Sequence, residues 1–325
     1  MFKNIIVPLD GSDTSERVLG WVTQPARAMD AEVTLLAVIE DEELAAPLSG
    51  THGGPGDRGT PPEVLSAQAE SRSRFEVAAD SAERYLNMAA RRLRENGVTT
   101  SQMVVSGAAD RQIVEVAGSF EDCMIAMVTH REHTLARGVL GSVADRVMRH
   151  APVPVLLLRP EEAARGRPAE VDVKHIDEII VPLDFSSAAE EAVGVAIDMA
   201  SAMDASIKFV RVTARFYIPP GPGAMTQEGL VYSGARLRAE ARQYLQGFVD
   251  EALDADVDAQ AVVLSGSPAN AIVDLARESP NSMIVMTTHG LSGFRRWLLG
   301  SVTDKVVRAS ERPVLVLRSY PPEAR

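Results

Sequence analysis

The string Ile5-Ile6-Val7-Pro8-Leu9-Asp10 occurs a second time as Ile179-Ile180-Val181-Pro182-Leu183-Asp184, at an offset of 174 (184 − 10). Six identical consecutive residues are not chance, and a repeat of this length dictates two copies of one fold. Further along, Thr129-His130 returns as Thr288-His289 and Leu140-Gly141-Ser142-Val143 as Leu299-Gly300-Ser301-Val302, both at an offset of 159 (300 − 141). The first copy therefore carries about fifteen extra residues. They fall in residues 41–66, rich in Gly, Pro and acidic side chains, which reads as a long loop whose stretch 48–62 should be poorly ordered and protease-sensitive.

Each copy alternates short apolar runs with longer amphipathic segments, the pattern of a parallel sheet covered on both faces. Strands are predicted near 3–9, 32–39, 101–106, 123–129 and 153–159, then near 177–183, 206–213, 259–265, 282–288 and 313–318. Runs such as Val33-Thr34-Leu35-Leu36-Ala37-Val38-Ile39 are almost continuously apolar, as strands buried on two faces must be. Long helices are predicted near 67–95 and 228–253. The polar segment from Pro160 to about Val173 separates the copies, which gives domains at 1–160 and 174–320.

The chain of 325 residues is too long for one comfortable core, in keeping with two domains. A formal net charge of −12 with no cluster of Lys and Arg argues against nucleic acid as a partner. No apolar run approaches the roughly 20 residues of a membrane helix. The start, Met1 to Pro8, has no long apolar leader and is needed as a strand, so a cytoplasmic protein beginning at Met1 is expected. The single cysteine, Cys123, sits in an apolar run and reads as a small buried side chain.

The segment that carries chemistry is Met286-Thr287-Thr288-His289-Gly290-Leu291-Ser292-Gly293, followed by Phe294 to Leu299 and then Gly300-Ser301-Val302. With the Val-Pro-Leu-Asp opening, it closely resembles the universal stress protein family. Nucleotide-binding members of that family carry Gly, two residues, Gly, nine residues, then Gly-Ser or Gly-Thr. On this chain the glycine positions fall at Thr287, Gly290 and Gly300, followed by Ser301. The resemblance implies a pair of flavodoxin-like α/β domains of the adenine nucleotide alpha hydrolase-like kind. Each would hold a five-stranded parallel sheet of order 3-2-1-4-5 with helices on both faces. It also implies an adenine nucleotide (ATP, ADP or AMP, with or without Mg) as ligand. In the second domain the implied site is Asp184, Val212, Thr287, Gly290, Gly300, Ser301 and Val302. Elementary chemistry agrees: glycines let backbone N–H groups close on a phosphate, and Gly300-Ser301 opens a helix whose amides favour an anion. The plainer alternative makes Gly290 a turn and Ser301 a helix cap.

In the first copy the same alignment reads Val128-Thr129-His130-Arg131, then nine residues to Gly141-Ser142, so both early glycine positions are filled. Arg131 either occludes the phosphate pocket or supplies a cation to it, and side-chain bulk at a glycine position favours occlusion. Asp10, Val38, Gly141 and Ser142 form a weaker version of the site. Asp10 and Asp184 end the first strands, where an open α/β sheet places its crevice, and the resemblance implies contact with the adenine or ribose. The plainer reading of either is a turn residue ahead of a helix, with Ser12 or Ser186 as cap, and the resemblance favours binding over it.

Other motifs carry little. Gly54-Pro55-Gly56-Asp57-Arg58-Gly59 leads into Thr60-Pro61-Pro62 instead of a helix, and His130-Arg131-Glu132-His133 has metal-like spacing without further ligands. No catalytic triad or carboxylate pair can be assembled, so efficient turnover is not expected and no metal site is assigned to the chain itself. The resemblance then implies nucleotide-dependent regulation in a stress response. A nucleotide-independent interaction module and a slow ATPase are the alternatives. In the implied strand order the fifth strands, near 153–158 and 313–317, are apolar edges that need cover. Antiparallel pairing of the two about a pseudo-twofold axis would make the chain its own dimer, with a further homodimer left open.

Overall fold

The computed structural model describes residues 1–40, 62–129, 140–159, 170–213, 227–288 and 300–319, with side chains in the two longest helices described from residues 74 and 234 onward. The first repeat gives β1 (Asn4–Pro8), a 3-10 turn (Ser15–Arg17), α1 (Val18–Met29), β2 (Glu32–Ile39), α2 (Pro62–Glu95) and β3 (Thr100–Ser106). It continues with α3 (Ala109–Gly118), β4 (Cys123–Val128), α4 (Ser142–His150) and β5 (Val155–Leu158). The second repeat gives β6 (Glu178–Pro182), α5 (Ser187–Met203), β7 (Ser206–Thr213), α6 (Gln227–Asp254) and β8 (Ala259–Ser265). It ends with α7 (Pro268–Glu278), β9 (Ser282–Thr287), α8 (Ser301–Ala309) and β10 (Val314–Leu317).

The ten strands form one sheet in the order β3-β2-β1-β4-β5-β10-β9-β6-β7-β8. Within each half every pairing is parallel and the order is 3-2-1-4-5. The halves join through β5 and β10, antiparallel, with Leu156 opposite Leu315. This is the pairing the two apolar edges require: each covers the other, and the sheet acquires no apolar edge in its middle. Alternation along the strands feeds two core layers. Ile5, Val7, Leu35, Leu156 and Leu315 face α1, α2, α5 and α6, while Ile6, Leu36, Ile125, Leu157 and Val314 face α3, α4, α7 and α8. Both layers run through the seam without a break.

Two boundaries differ from the sequence reading. The fifth strands begin after Pro154 and Pro313, which lack the N–H a ladder needs; their carbonyls still accept from Ile125 and Ile284. The first long helix starts at Pro62, so residues 62–66 of the expected long loop are helical. Proline suits the first turn of a helix, where its missing N–H costs nothing. The rest of that loop, 41–61, lies outside the described residues, and so does the expected disorder of 48–61.

Reciprocal contacts reinforce the seam. The Arg159 guanidinium donates to the Ala309 carbonyl at the end of α8 (3.4 Å), and Arg318, its equivalent, donates to the Ala151 carbonyl past the end of α4 (3.2 Å). Each is a cation at the negative end of the other repeat's helix. The chain leading into β6 lies against α1: Lys174 donates its backbone N–H to Gly20, and the Gln24 amide both donates to the Ile176 carbonyl and accepts from its N–H.

Gly20 and Gly194 occupy the same position in α1 and α5, at the offset of 174 (194 − 20), yet their surroundings differ. A Cβ on Gly20 would overlap the Asp172 carbonyl, whereas one on Gly194 would meet nothing within 4 Å. Alanine normally exceeds glycine in a helix by about 1 kcal/mol. Gly194→Ala is therefore expected to stabilise the chain by roughly 0.5–1 kcal/mol, and Gly20→Ala to destabilise it by about 1–3 kcal/mol through displacement of the linker. Urea denaturation midpoints of the two variants check this; a gain in both would show that the linker does not rest on Gly20.

Candidate functional site

At the carboxyl edge of the first half-sheet lies an open cavity of about 1110 Å³. Its wall contains Asp10 from the end of β1, Val38 from β2, and Gly141 and Ser142 at the start of α4. The four residues of the first repeat's implied site are thus brought together from three separate elements. The local reasons are visible. Gly11 has φ +81°, a conformation that lets the chain turn sharply after β1. Asp10 accepts from the Ser12 N–H (2.9 Å) and hydroxyl (2.6 Å), and Ser12 Oγ accepts from the Ser15 N–H (3.1 Å). Gly141 is the N-cap of α4 in extended conformation, so Ser142 is the first helical residue and not the cap, and its side chain is exposed.

The second repeat builds the same frame with different detail. Asp184 accepts from the Ser186 N–H (3.1 Å) and hydroxyl (2.5 Å), and Ser186 Oγ caps α5 by accepting from the Ala189 N–H. Both aspartates thus spend one carboxylate oxygen on the turn after the first strand, as the turn reading requires. Gly300 caps α8 and Ser301 is its first residue, again exposed, so the alternative in which Ser301 caps the helix does not describe its position. Thr287 ends β9 with its side chain buried (5% exposed), and its carbonyl accepts from Thr303 Oγ1 at 2.8 Å. Val212 is buried in β7 and Val302 is half-buried against the core. The Gly300 N–H donates to the Thr288 carbonyl (2.6 Å), which brings the two ends of segment 289–299 together. Gly290 and Arg131 lie outside the described residues, as do His130 and His133.

Three features escaped the sequence reading. Where the first repeat has Gly11, the second has Phe185, held at φ +71° although a phenyl residue pays for that conformation. Its ring, 45% exposed, packs on Tyr244 (4.4 Å between centroids) and under the Arg211 guanidinium (4.5 Å). Burial lowers the Arg211 pKa while Asp184 opposes the shift, and burial together with the hydrogen bond to Glu190 raises that of Tyr244. The first repeat has Ala37 at the Arg211 position, so this particular cation belongs to the second repeat.

The third feature is an ionic cluster on α4 and α8. Arg149 binds Asp145 through two hydrogen bonds (2.8 and 3.1 Å), and Arg308 binds Asp304 (2.9 and 3.0 Å) while reaching across the seam to Asp145 (3.4 Å). The Arg149 hydrogen bond, opposed in part by burial and aided by the field of Arg308, holds the Asp145 carboxyl below its usual range. Asp145, Arg149 and Arg308 all line the cavity of the first repeat. The signal was available, because Asp and Arg recur four residues apart at equivalent positions of both helices.

Elsewhere, Cys123 is buried and free, and burial pushes its thiol up to about 11, which makes it a core residue and a poor nucleophile. No described helix is long and apolar enough to cross a membrane, and no described group of three or more His, Cys, Asp or Glu is placed to hold a metal ion.

Comparison with known proteins matches this architecture throughout. The profile of the universal stress protein family matches residues 1–159 and again 175–318. A universal stress protein of Mycolicibacterium smegmatis is 26% identical over 317 residues, covering 97% of this chain and 96% of that one. One from Mycobacterium tuberculosis is 29% identical over 210 residues, a match that spans 63% of this chain and 64% of that protein. The crystal structure of a universal stress protein from Archaeoglobus fulgidus superposes with a TM-score of 0.60 at 19% identity, covering 97% of this chain and 96% of that one, a likeness of fold. With two matched segments that fill nearly the whole sequence, the chain belongs to the universal stress protein family, in tandem two-domain form.

Proposed function

We propose that the chain binds an adenine nucleotide at the carboxyl edge of each half-sheet, more tightly in the second repeat, and that occupancy serves a regulatory role in a cytoplasmic stress response. The observation that carries the reading is the cavity of the first repeat. Its 1110 Å³ accommodates a nucleotide, and Asp10, Val38, Gly141 and Ser142 converge on it from three elements. The exposed start of α4 offers backbone N–H groups and a hydroxyl to phosphate, and the start of α8 offers the same in the second repeat. The preference for the second repeat rests on sequence: Gly290 stands there where the first has Arg131. The proposal is binding without efficient turnover, because no catalytic triad or carboxylate pair can be assembled from the sequence.

A second reading has two observations in its favour. Asp10 and Asp184 are both engaged in turns, and Val128 and Thr287 fill the first glycine position as buried strand residues, which suits a scaffold that binds partners without nucleotide. Calorimetric titration of the full chain with ATP and with AMP separates the two. The nucleotide reading expects saturable heat with two classes of site; the absence of heat with both ligands would leave the interaction module.

A further inference from the structure

The cavity of the first repeat is not closed by the first repeat alone. Among its described lining residues, Arg308 is the one contributed by the second repeat, from α8 across the seam. Along α4 the wall presents Ser142, then Asp145 one turn on, then Arg149 two turns on. At 1.5 Å per residue, Asp145 stands about 4.5 Å beyond Ser142 along the helix axis, and Arg149 about 10 Å beyond. A nucleotide seated by Asp10 and Val38, with its first phosphate at the start of α4, needs only Gly141 and Ser142. A longer phosphate chain continuing along this wall meets the Asp145 carboxylate next.

A bare carboxylate there repels a polyphosphate. Asp145 is not bare: Arg149 binds it through two hydrogen bonds, and the Arg308 guanidinium approaches to 3.4 Å. Arg149 is committed to Asp145 from the same helix. Arg308 is held on Asp304 by Nε and by Nη2 (2.9 Å), and the same Nη2 reaches Asp145 at the longer distance of 3.4 Å, the contact that an incoming anion most readily replaces. We infer that Arg308 of the second repeat is a specificity-determining residue of the first repeat's cavity, where it favours a nucleotide di- or triphosphate over the monophosphate. The site then depends on the seam: ligand on one repeat engages a residue of the other, and the Asp145–Arg308 contact is exchanged for an Arg308–phosphate contact.

This rests on the nucleotide reading above, and the test separates the two. Calorimetry is run with ATP and AMP on the full chain in a Gly290→Arg background, which removes the tighter site of the second repeat and leaves the first. Arg308→Ala is expected to lower ATP affinity about tenfold, the scale of one charge-assisted contact, with AMP affinity nearly unchanged. Arg318→Ala, which removes a seam contact to Ala151 away from the cavity, is expected to leave the ATP-to-AMP ratio intact. Should Arg308→Ala not fold, Asp145→Asn takes its place and must raise ATP affinity relative to AMP. An unchanged ratio in Arg308→Ala, an equal loss in Arg318→Ala, or no binding at all by the Gly290→Arg chain overturns the inference while leaving nucleotide binding by the intact protein standing. Failure of the unmodified chain to bind either nucleotide removes the functional reading itself.

Discussion

Leu315→Asp is expected to unfold both repeats, although it changes one residue of the second. Leu315 is fully buried in β10, opposite Leu156 of β5 on one side and Val285 of β9 on the other. Its side chain belongs to a core layer that holds Ile5, Val7, Leu35 and Leu156 of the first repeat as well as Ile179 and Phe209 of the second. A carboxylate placed there has no partner, and the cost of an unpaired buried charge on top of the lost leucine exceeds about 4–5 kcal/mol, a large fraction of the stability of a whole domain. Because the sheet and both core layers are continuous, loss at the seam also exposes the apolar edge of β5. Thermal unfolding by circular dichroism and amide exchange in β1 read the result. A cooperative transition within a few degrees of the parent, or a β1 that stays protected while β10 exchanges freely, would show that the halves are energetically separate.

What the sequence disclosed follows from how local each signal is. All ten strands were legible because strands buried on two faces must be apolar almost without interruption, as in Met124-Ile125-Ala126-Met127-Val128. The seam was legible because the strand order implied by the family resemblance leaves two apolar edge strands in one chain, and each needs cover. Gly141 and Ser142 were found through a spaced motif and Asp10 and Val38 through the family resemblance, and the four line one cavity. The ionic cluster was not found, since its defining contact joins Asp145 to Arg308, 163 residues apart, and each half alone looks like an ordinary helical ion pair. Gly20 and Gly194 show the same limit from another side: identical residues at equivalent positions, told apart only by the linker that rests on one of them. Phe185 was overlooked because a residue type says little about a positive φ that glycine usually occupies; its signal was the mismatch with Gly11 in an otherwise matching strand and turn.

The same comparison of repeats yields the variant with the largest expected effect on binding, Gly290→Arg. Gly290 itself lies outside the described residues, but the frame around it is in place. The Gly300 N–H donates to the Thr288 carbonyl at 2.6 Å, which fixes the start of α8 beside the end of β9. Backbone N–H groups can close on an anion at a helix start only where side chains stay clear, and a glycine permits that approach. Arginine is the residue the first repeat carries at this position, as Arg131, so the substitution copies a side chain that one version of this fold already tolerates. Folding should therefore survive while the tight site is lost. Affinity for ATP at that site is expected to fall at least about 100-fold, roughly 2.7 kcal/mol, and the thermal stabilisation that ATP confers should shrink with it. The reciprocal Arg131→Gly is expected to strengthen the first repeat's binding. Calorimetry on the folded variants decides the matter, and ATP affinity unchanged in Gly290→Arg would remove the second repeat's loop from the site altogether.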